Sequence, residues 1–158
     1  MKCRYTKYLL WFMLGTIISL VAYTRFFSEN IADNWQHLHH QAHIALHNEK
    51  YEHAIKICDQ AIKADASSDN RYLMYVKKAK ALNKLHRYEE ALKSTDLAVT
   101  IYPKKEEAYL VKVDALFNLG AEEELTATLE EIESINPHTP LKPLLNSLRL
   151  ERGKAQYP

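Results

Sequence analysis

Histidine is concentrated in one short stretch of this chain, where six of the eight His residues lie between His37 and His53. His39, His43 and His47 recur at every fourth position, which would place them on one face of a helix. Two neutral imidazoles four residues apart can share a zinc or nickel ion. A tight site needs further ligands and supporting partners, and a His eight residues away lies about 12 Å along the axis. The spacing therefore favours at most a weak surface pair, and we assign no metal ligands.

Other patterns that would indicate chemistry are missing from the sequence. The chain has three Gly in all, and none forms a phosphate-binding loop. No Ser-His-Asp arrangement is suggested by placement on a common face. The net charge is +1, with positive and negative residues interleaved, which argues against a surface for nucleic acid. We therefore expect neither an enzyme nor a nucleic-acid-binding protein, and no cofactor.

The strongest feature of the sequence is an internal repeat. Ala42, Tyr51, Ala54 and Ala61 return as Ala79, Tyr88, Ala91 and Ala98, each displaced by 37 positions. A weaker third copy follows 34 positions later, where Tyr75, Leu82, Leu85 and Pro103 become Tyr109, Leu116, Leu119 and Pro137. A fixed period in this range indicates repeated supersecondary units that stack into a binding surface.

Each unit is predicted to contain two helices joined by a tight turn. In the second unit, helices are expected over 72–85 and 88–101, with a break at His86 and Arg87 and a polar loop over 65–71 before them. A last helix carries an apolar stripe (Leu141, Leu144, Leu145, Leu148), with Thr139 as N-cap, Pro140 in the first position and Gly153 as C-cap. We interpret this helix as a cover for the open end of the stack.

This pattern resembles the tetratricopeptide repeat family over roughly Asn34 to Pro137. The matching residues are Leu38, Ala42, Tyr51, Ala54 and Ala61, then Tyr75, Ala79, Leu82, Tyr88, Ala91, Ala98 and Pro103, and then Tyr109, Leu116, Gly120 and Pro137. The third unit departs from the pattern, because Val113, Leu125 and Ile132 stand where small residues are expected. The resemblance implies an all-α solenoid of three helix-turn-helix repeats with a C-terminal capping helix.

The resemblance also implies a concave groove that holds an extended peptide or a partner helix. Carried over by position, the groove residues are His39, His43, Leu46 and His47, then Leu73, Val76, Lys80, Asn83 and Lys84, and then Glu107, Leu110, Asp114, Phe117 and Asn118. One subfamily grips the carboxylate at the end of heat-shock chaperones with a Lys/Asn clamp. His39 and His43 stand where that clamp needs Lys and Asn, so chaperone-tail binding is not expected.

The N-terminal segment has a separate character. Residues 8–24 carry no charge, Lys2, Arg4 and Lys7 precede them, and Arg25 follows. This length reaches the lower limit for a membrane span. The charge bias predicts an N-terminus in the cytoplasm and repeats on the far side. We expect an uncleaved signal-anchor, since the alternative, a cleaved signal peptide, lacks small residues at both recognition positions near Ala22.

These observations predict a membrane-anchored scaffold or adaptor for a protein or peptide partner. The expected parts are a basic segment (1–7), a transmembrane signal-anchor (8–24), a juxtamembrane linker (25–34), the repeat domain with its capping helix (35–153) and a tail (154–158). By association, this arrangement fits an inner-membrane protein with a periplasmic domain, active in envelope assembly or biogenesis. The alternative is a metal- or haem-handling accessory protein that uses the His-rich helix. Oligomeric state is left open.

Overall fold

The computed structural model describes the backbone of residues 2–64 and 67–155, and the side chains of residues 13–24, 34–64 and 67–150. Within these ranges the chain is all-helical, and it divides into two units, residues 1–37 and 38–158. The helices are α1 (Lys2–His47), α2 (Tyr51–Ala64), α3 (Ser68–Lys84), α4 (Tyr88–Ile101), α5 (Glu106–Leu119), α6 (Glu122–Ile135) and α7 (Lys142–Ala155).

The N-terminal unit consists of the first part of α1. The predicted span, 8–24, lies partly outside the described side chains. Where the chain is described, no helix combines the length and apolar character needed to cross a membrane. Seven large apolar side chains are each more than half exposed here: Met13, Leu14, Ile17, Ile18, Leu20, Val21 and Tyr23. The predicted linker, 25–34, is helical, as its lack of Pro and Gly allows.

The second unit contains the predicted repeats. α4 packs against α3, α6 packs against α5, and each pair packs against the next. The small residues that carry the period are buried, since Ala42, Ala54, Ala79 and Ala91 have no exposed surface. Cys58 is also fully buried, as expected for a small apolar side chain. Close contact between the helices of a pair explains why these positions hold Ala.

The turns inside the three repeats share one conformation at the same period. Glu49, His86 and Gly120 each have positive φ, of 57°, 58° and 70°. The next residue donates its N–H to a carbonyl five positions earlier, as in Lys50 to Ala45 (2.8 Å), Arg87 to Leu82 (2.9 Å) and Ala121 to Leu116 (3.1 Å). This is the left-handed Schellman end of a helix. The repeat therefore extends to backbone geometry, although only the third turn has the Gly that favours it.

Ion pairs between consecutive repeats follow the same period. Lys78 Nζ lies 2.6 Å from Asp59 Oδ1, and at the corresponding positions Lys112 Nζ lies 2.8 Å from Asp96 Oδ1. In each pair the first helix of one repeat contacts the second helix of the repeat before it. Such partly exposed pairs add little free energy each, but they report that the successive repeats stack in one register.

The third repeat and α7 share an apolar core. Val113, Leu125 and Ile132, which depart from the family pattern, are buried there together with Leu145 of α7. Leu141, Leu144 and Leu148 pack against the same cluster. In the third repeat, larger side chains thus occupy the positions that small residues hold at the helix crossings of the earlier repeats, and they pack against α7. The capping role predicted for the last helix is confirmed by this packing.

Three predicted boundaries are wrong. Residues 68–71 are helical, because Ser67 caps α3 by accepting the N–H of Asn70 at 3.3 Å. α7 begins at Lys142, two residues after Pro140, because residues 140 and 141 form a turn. The Thr139 hydroxyl before this turn donates to Glu106 (3.1 Å). Gly153 does not end α7, which continues to Ala155, since Gly is tolerated within a helix at a cost of about 1 kcal/mol.

Candidate partner-binding groove

The first helices of the three repeats line two adjoining cavities on one face of the domain. The first, called the apolar cavity, has a volume of about 440 Å³ and is lined by Leu46, Tyr51, Lys80, Asn83, Lys84, Glu107, Leu110, Val111 and Asp114. The second, called the His/Lys cavity, has about 370 Å³ and is lined by His39, His43, Leu46, His47, Leu73, Val76, Lys77, Lys80 and Glu107. Leu46, Lys80 and Glu107 line both, so the two cavities form one continuous groove.

An ion pair lies where the cavities meet. Lys80 Nζ on α3 is 2.7 Å from Glu107 Oε1 on α5. Both side chains are about half exposed, so the pair is accessible to a ligand in either cavity. Lys80 and Glu107 therefore offer one donor and one acceptor at the centre of the groove. Without a ligand, their charges neutralise each other.

Asn83 fixes α3 against α5 beneath the apolar cavity. Its buried amide donates to the carbonyl of Val111 and to Asp114 Oδ2, both at 3.0 Å. Asp114 in turn accepts from the Asn118 amide through its own carbonyl (2.7 Å) and Oδ1 (3.3 Å). These bonds span two repeats, so the Asn83 amide nitrogen positions the groove walls, whereas its buried Oδ1 has no hydrogen-bond partner among the described residues.

Two lysines of the groove have no carboxylate partner within the described side chains. Neither Lys77 Nζ nor Lys84 Nζ lies within ion-pair distance of a described Asp or Glu. Lys77 is partly buried in the His/Lys cavity, and burial is the largest cause of its lowered pKa. Burial also lowers the pKa of His39, with Lys77, His43 and His40 adding to the effect. The cavity is therefore a partly desolvated cationic site.

The structure brings together most of the residues predicted for the groove. Twelve of the fourteen predicted groove residues line one of the two cavities: His39, His43, Leu46, His47, Leu73, Val76, Lys80, Asn83, Lys84, Glu107, Leu110 and Asp114. Phe117 and Asn118 line neither of them, and Phe117 is 62% exposed. Their α5 positions lie one turn beyond Asp114, past the end of the apolar cavity. Whether a partner binds these residues stays a prediction.

Three lining residues were not predicted from the sequence. Lys77 lies four positions after Leu73 and three before Lys80, so helical spacing contained the signal for it. Val111 follows Leu110 and is mostly buried. Tyr51 begins α2 and borders the apolar cavity from outside the set of first helices. Tyr51 lies outside the exposed stripe of the first helices, so the spacing along those helices contains no signal for it.

A metal centre gains no support from the arrangement of the His residues. Across the side chains that are described, no group of three or more His, Cys, Asp or Glu residues is placed to hold an ion. His39, His43 and His47 instead lie along one wall of the His/Lys cavity. The alternative of a metal-handling protein therefore lacks a ligand set in the described part of the domain.

Comparisons with known proteins agree with the repeat architecture. Residues 38–68 match a family model of the tetratricopeptide repeat. The STIP1 homolog of Dictyostelium discoideum is 31% identical over 97 residues, which is 61% of this chain and 17% of that protein. The chain thus corresponds to less than a fifth of this relative's length.

Solved structures show the same fold at low sequence identity. The second TPR domain of human RPAP3, determined in complex with an HSP70 peptide, superposes with a TM-score of 0.67 and 22% identity, covering 75% of this chain and 98% of that one. The Hsp90 co-chaperone Cns1 from Saccharomyces cerevisiae gives a TM-score of 0.71 and 16% identity, covering 80% and 41%. At such identities the likeness establishes a tetratricopeptide-like fold for the second unit.

Proposed function

We propose that the helical domain is a protein-interaction module that holds an extended peptide or a helix of a partner protein in its concave groove. The observation that carries this proposal is the pair of adjoining cavities lined by the first helices of three consecutive repeats. Leu46, Leu110 and Val111 provide apolar surface, and Lys80 and Glu107 provide a donor and an acceptor in the centre. Such a mixture suits a peptide, which needs both. The role is binding rather than catalysis.

The fold of the neighbours supports this proposal. The solved RPAP3 domain carries an HSP70 peptide, according to its description. This chain differs at the positions of the chaperone clamp, since it has His39 and His43 in place of Lys and Asn. We therefore propose a partner other than a chaperone tail, with the adaptor serving an envelope assembly or biogenesis complex.

Crosslinking and recovery of partners with the full chain test this proposal. Lys80→Glu combined with Leu110→Ala reverses a charge at the centre of the groove and removes apolar surface from the apolar cavity. We expect this variant to lose the partners recovered by the parent, while its circular dichroism stays helical. Lys93→Glu, an exposed change on α4 away from both cavities, serves as the matched control. Equal recovery by the groove variant and the parent would place the binding site elsewhere.

A second part of the proposal is attachment to the inner membrane through residues 8–24, with the repeats on the extracytoplasmic side. The uncharged sequence supports it. So do the exposed apolar side chains from Met13 to Tyr23, which cover more than half of the helix circumference at about 100° per residue. An uncovered apolar surface of this kind needs a lipid or protein environment.

A reporter fused after Pro158 tests the orientation. An enzyme that is active only outside the cytoplasm should be active in the fusion, and a cytoplasm-only reporter should be silent. Activity of the cytoplasm-only reporter would reverse the orientation. Recovery of the full chain in the soluble fraction after cell lysis would contradict the anchor itself.

A further inference from the structure

We propose that the His/Lys cavity is a subsite for an acidic side chain of the bound peptide, and that protonation of His39 tightens binding as the pH falls below neutrality. This inference rests on the proposed function, because it names the chemistry of the ligand in the same groove. The apolar cavity next to it would take an apolar side chain of the same peptide. The ligand class is therefore a peptide with an acidic residue close to an apolar one.

The charges that face the cavity favour an anion. α3 contributes Lys77 and Lys80, α1 contributes His39, His43 and His47, and α5 contributes Glu107. Glu107 is paired with Lys80 at 2.7 Å and attracts Lys77 only from beyond ion-pair distance, so two ammonium groups share one carboxylate. A partly buried ammonium group without a close partner loses hydration, so a ligand carboxylate near Lys77 would recover that cost. Electrostatic complementarity thus selects an acidic side chain.

His39 gives the subsite its pH dependence. Burial and the neighbouring charge of Lys77 lower the pKa of His39, so its imidazole is neutral at neutral pH without a ligand. A carboxylate bound beside it stabilises the imidazolium and raises this pKa again. Binding then takes up protons, and by linkage the affinity increases as pH falls. The increase ends when the ligand's own carboxylates become protonated, near pH 4.3 for a Glu as an approximate model value.

The shape of the groove favours a peptide over a small anion. The two cavities share Leu46, Lys80 and Glu107, so one ligand can reach both. Side chains that alternate along an extended chain point to the same side at every second residue, about 6.5–7 Å apart. A peptide can therefore place an acidic group in the His/Lys cavity and an apolar group in the apolar cavity, whereas a small anion can fill only the His/Lys cavity.

The test uses a display library of short random peptides, selected on the full chain at about pH 6. We expect the selected sequences to be enriched in Asp or Glu next to apolar residues. A labelled selected peptide should bind about fivefold more tightly at pH 6 than at pH 7.5, the sum of a few weak ion pairs. Glutarate, as a small dicarboxylate probe, should compete poorly.

Variants separate the contributions of the two kinds of cation. His39→Gln should abolish the tightening of binding between pH 7.5 and pH 6, so that the affinities at the two pH values become equal. Lys77→Gln should weaken binding at both pH values, and Glu107→Gln should strengthen it because Lys80 is released. Lys93→Gln is the matched control and should have no effect. Circular dichroism and Tm of each variant check that the helical domain is intact.

The outcomes distinguish this inference from the proposed function. Selected peptides without acidic residues, whose binding still depends on Leu110, would overturn the inference and leave the groove as the binding site. Acidic peptides that bind equally at both pH values would overturn the role of His39. Full competition by glutarate would indicate a small-anion site. Peptide binding that is unaffected by any groove variant would overturn both proposals.

Discussion

Lys80 Nζ on the second repeat lies 2.7 Å from Glu107 Oε1 on the third, and this ion pair borders both cavities of the groove. Because both residues border both cavities, a change to either one alters the net charge of the whole groove. With the pair intact, Lys77 in the His/Lys cavity and Lys84 in the apolar cavity each carry a positive charge with no described carboxylate within ion-pair distance. A ligand that approaches Glu107 would release Lys80, so the strength of the cationic site depends on what occupies the neighbouring cavity.

Asn83→Ala should destabilise the domain by about 1–3 kcal/mol, because it removes the buried amide that donates to the Val111 carbonyl and to Asp114 across the two repeats. Urea unfolding followed by circular dichroism measures the change. Asn118→Ala is the control, since its bonds to Asp114 are exposed, and it should cost far less. If Asn83→Ala unfolds at the same urea concentration as the parent, the amide bonds across the two repeats contribute nothing to stability.

Ala91→Leu should destabilise the domain by about 1–3 kcal/mol through overpacking, because Ala91 has no exposed surface where α4 packs on α3. The same substitution at Lys93, an exposed position two residues later, should change the Tm little. Thermal melts of the two variants give the comparison. A harmless Ala91→Leu would mean that the helices of the second repeat do not cross closely at this residue.

Glu49→Gly should stabilise the domain by about 0.5–1 kcal/mol. Glu49 holds a φ of 57° at the first turn, which costs an L-residue about 1–2 kcal/mol, and Gly avoids this strain while losing more entropy on folding. Glu52→Gly, within the first turn of α2, is the matched control and should lower the Tm. A decrease in Tm for Glu49→Gly would show that the left-handed conformation carries no strain.

Mildly acidic pH should destabilise the ligand-free domain through His39. Its pKa is lowered in the folded state, chiefly by burial, so the unfolded chain binds the proton more tightly. Stability from the neutral imidazole is therefore present above pH 6.5 and is lost as pH falls from 6.5 toward the lowered pKa. His39→Gln should flatten the dependence of Tm on pH, whereas Lys93→Gln, an exposed change on α4, should not. An unchanged slope in His39→Gln would contradict this assignment.

The period and the apolar spacing of the sequence were enough to predict the helix pairs. Tyr88–Ile101 begins and ends where its apolar spacing and the following Pro103 indicate. The family resemblance placed Leu73, Val76 and Lys80 in the groove, and all three line the His/Lys cavity. These features depend on the spacing of residues along a single helix, which can be read directly from the sequence.

Other features depend on contacts between repeats and could not be predicted. Asn83 has the spacing of a groove residue, yet it is buried by α5, which lies 28 positions away in sequence at Val111. The left-handed turns at Glu49 and His86 have no Gly to mark them. Tyr51 borders the apolar cavity only because the second helix of the first repeat begins beside the first helices of the others. Tertiary packing decides each of these cases.

The bonds from Asn83 to Val111 and Asp114 have a consequence for the thermodynamics of binding. They hold the walls of the apolar cavity at a fixed separation before any ligand arrives, so a partner does not have to order them on arrival. The conformational entropy of the groove is thus lost during folding rather than during association. Loosening this contact should make binding more dependent on temperature and less discriminating between partners of different width.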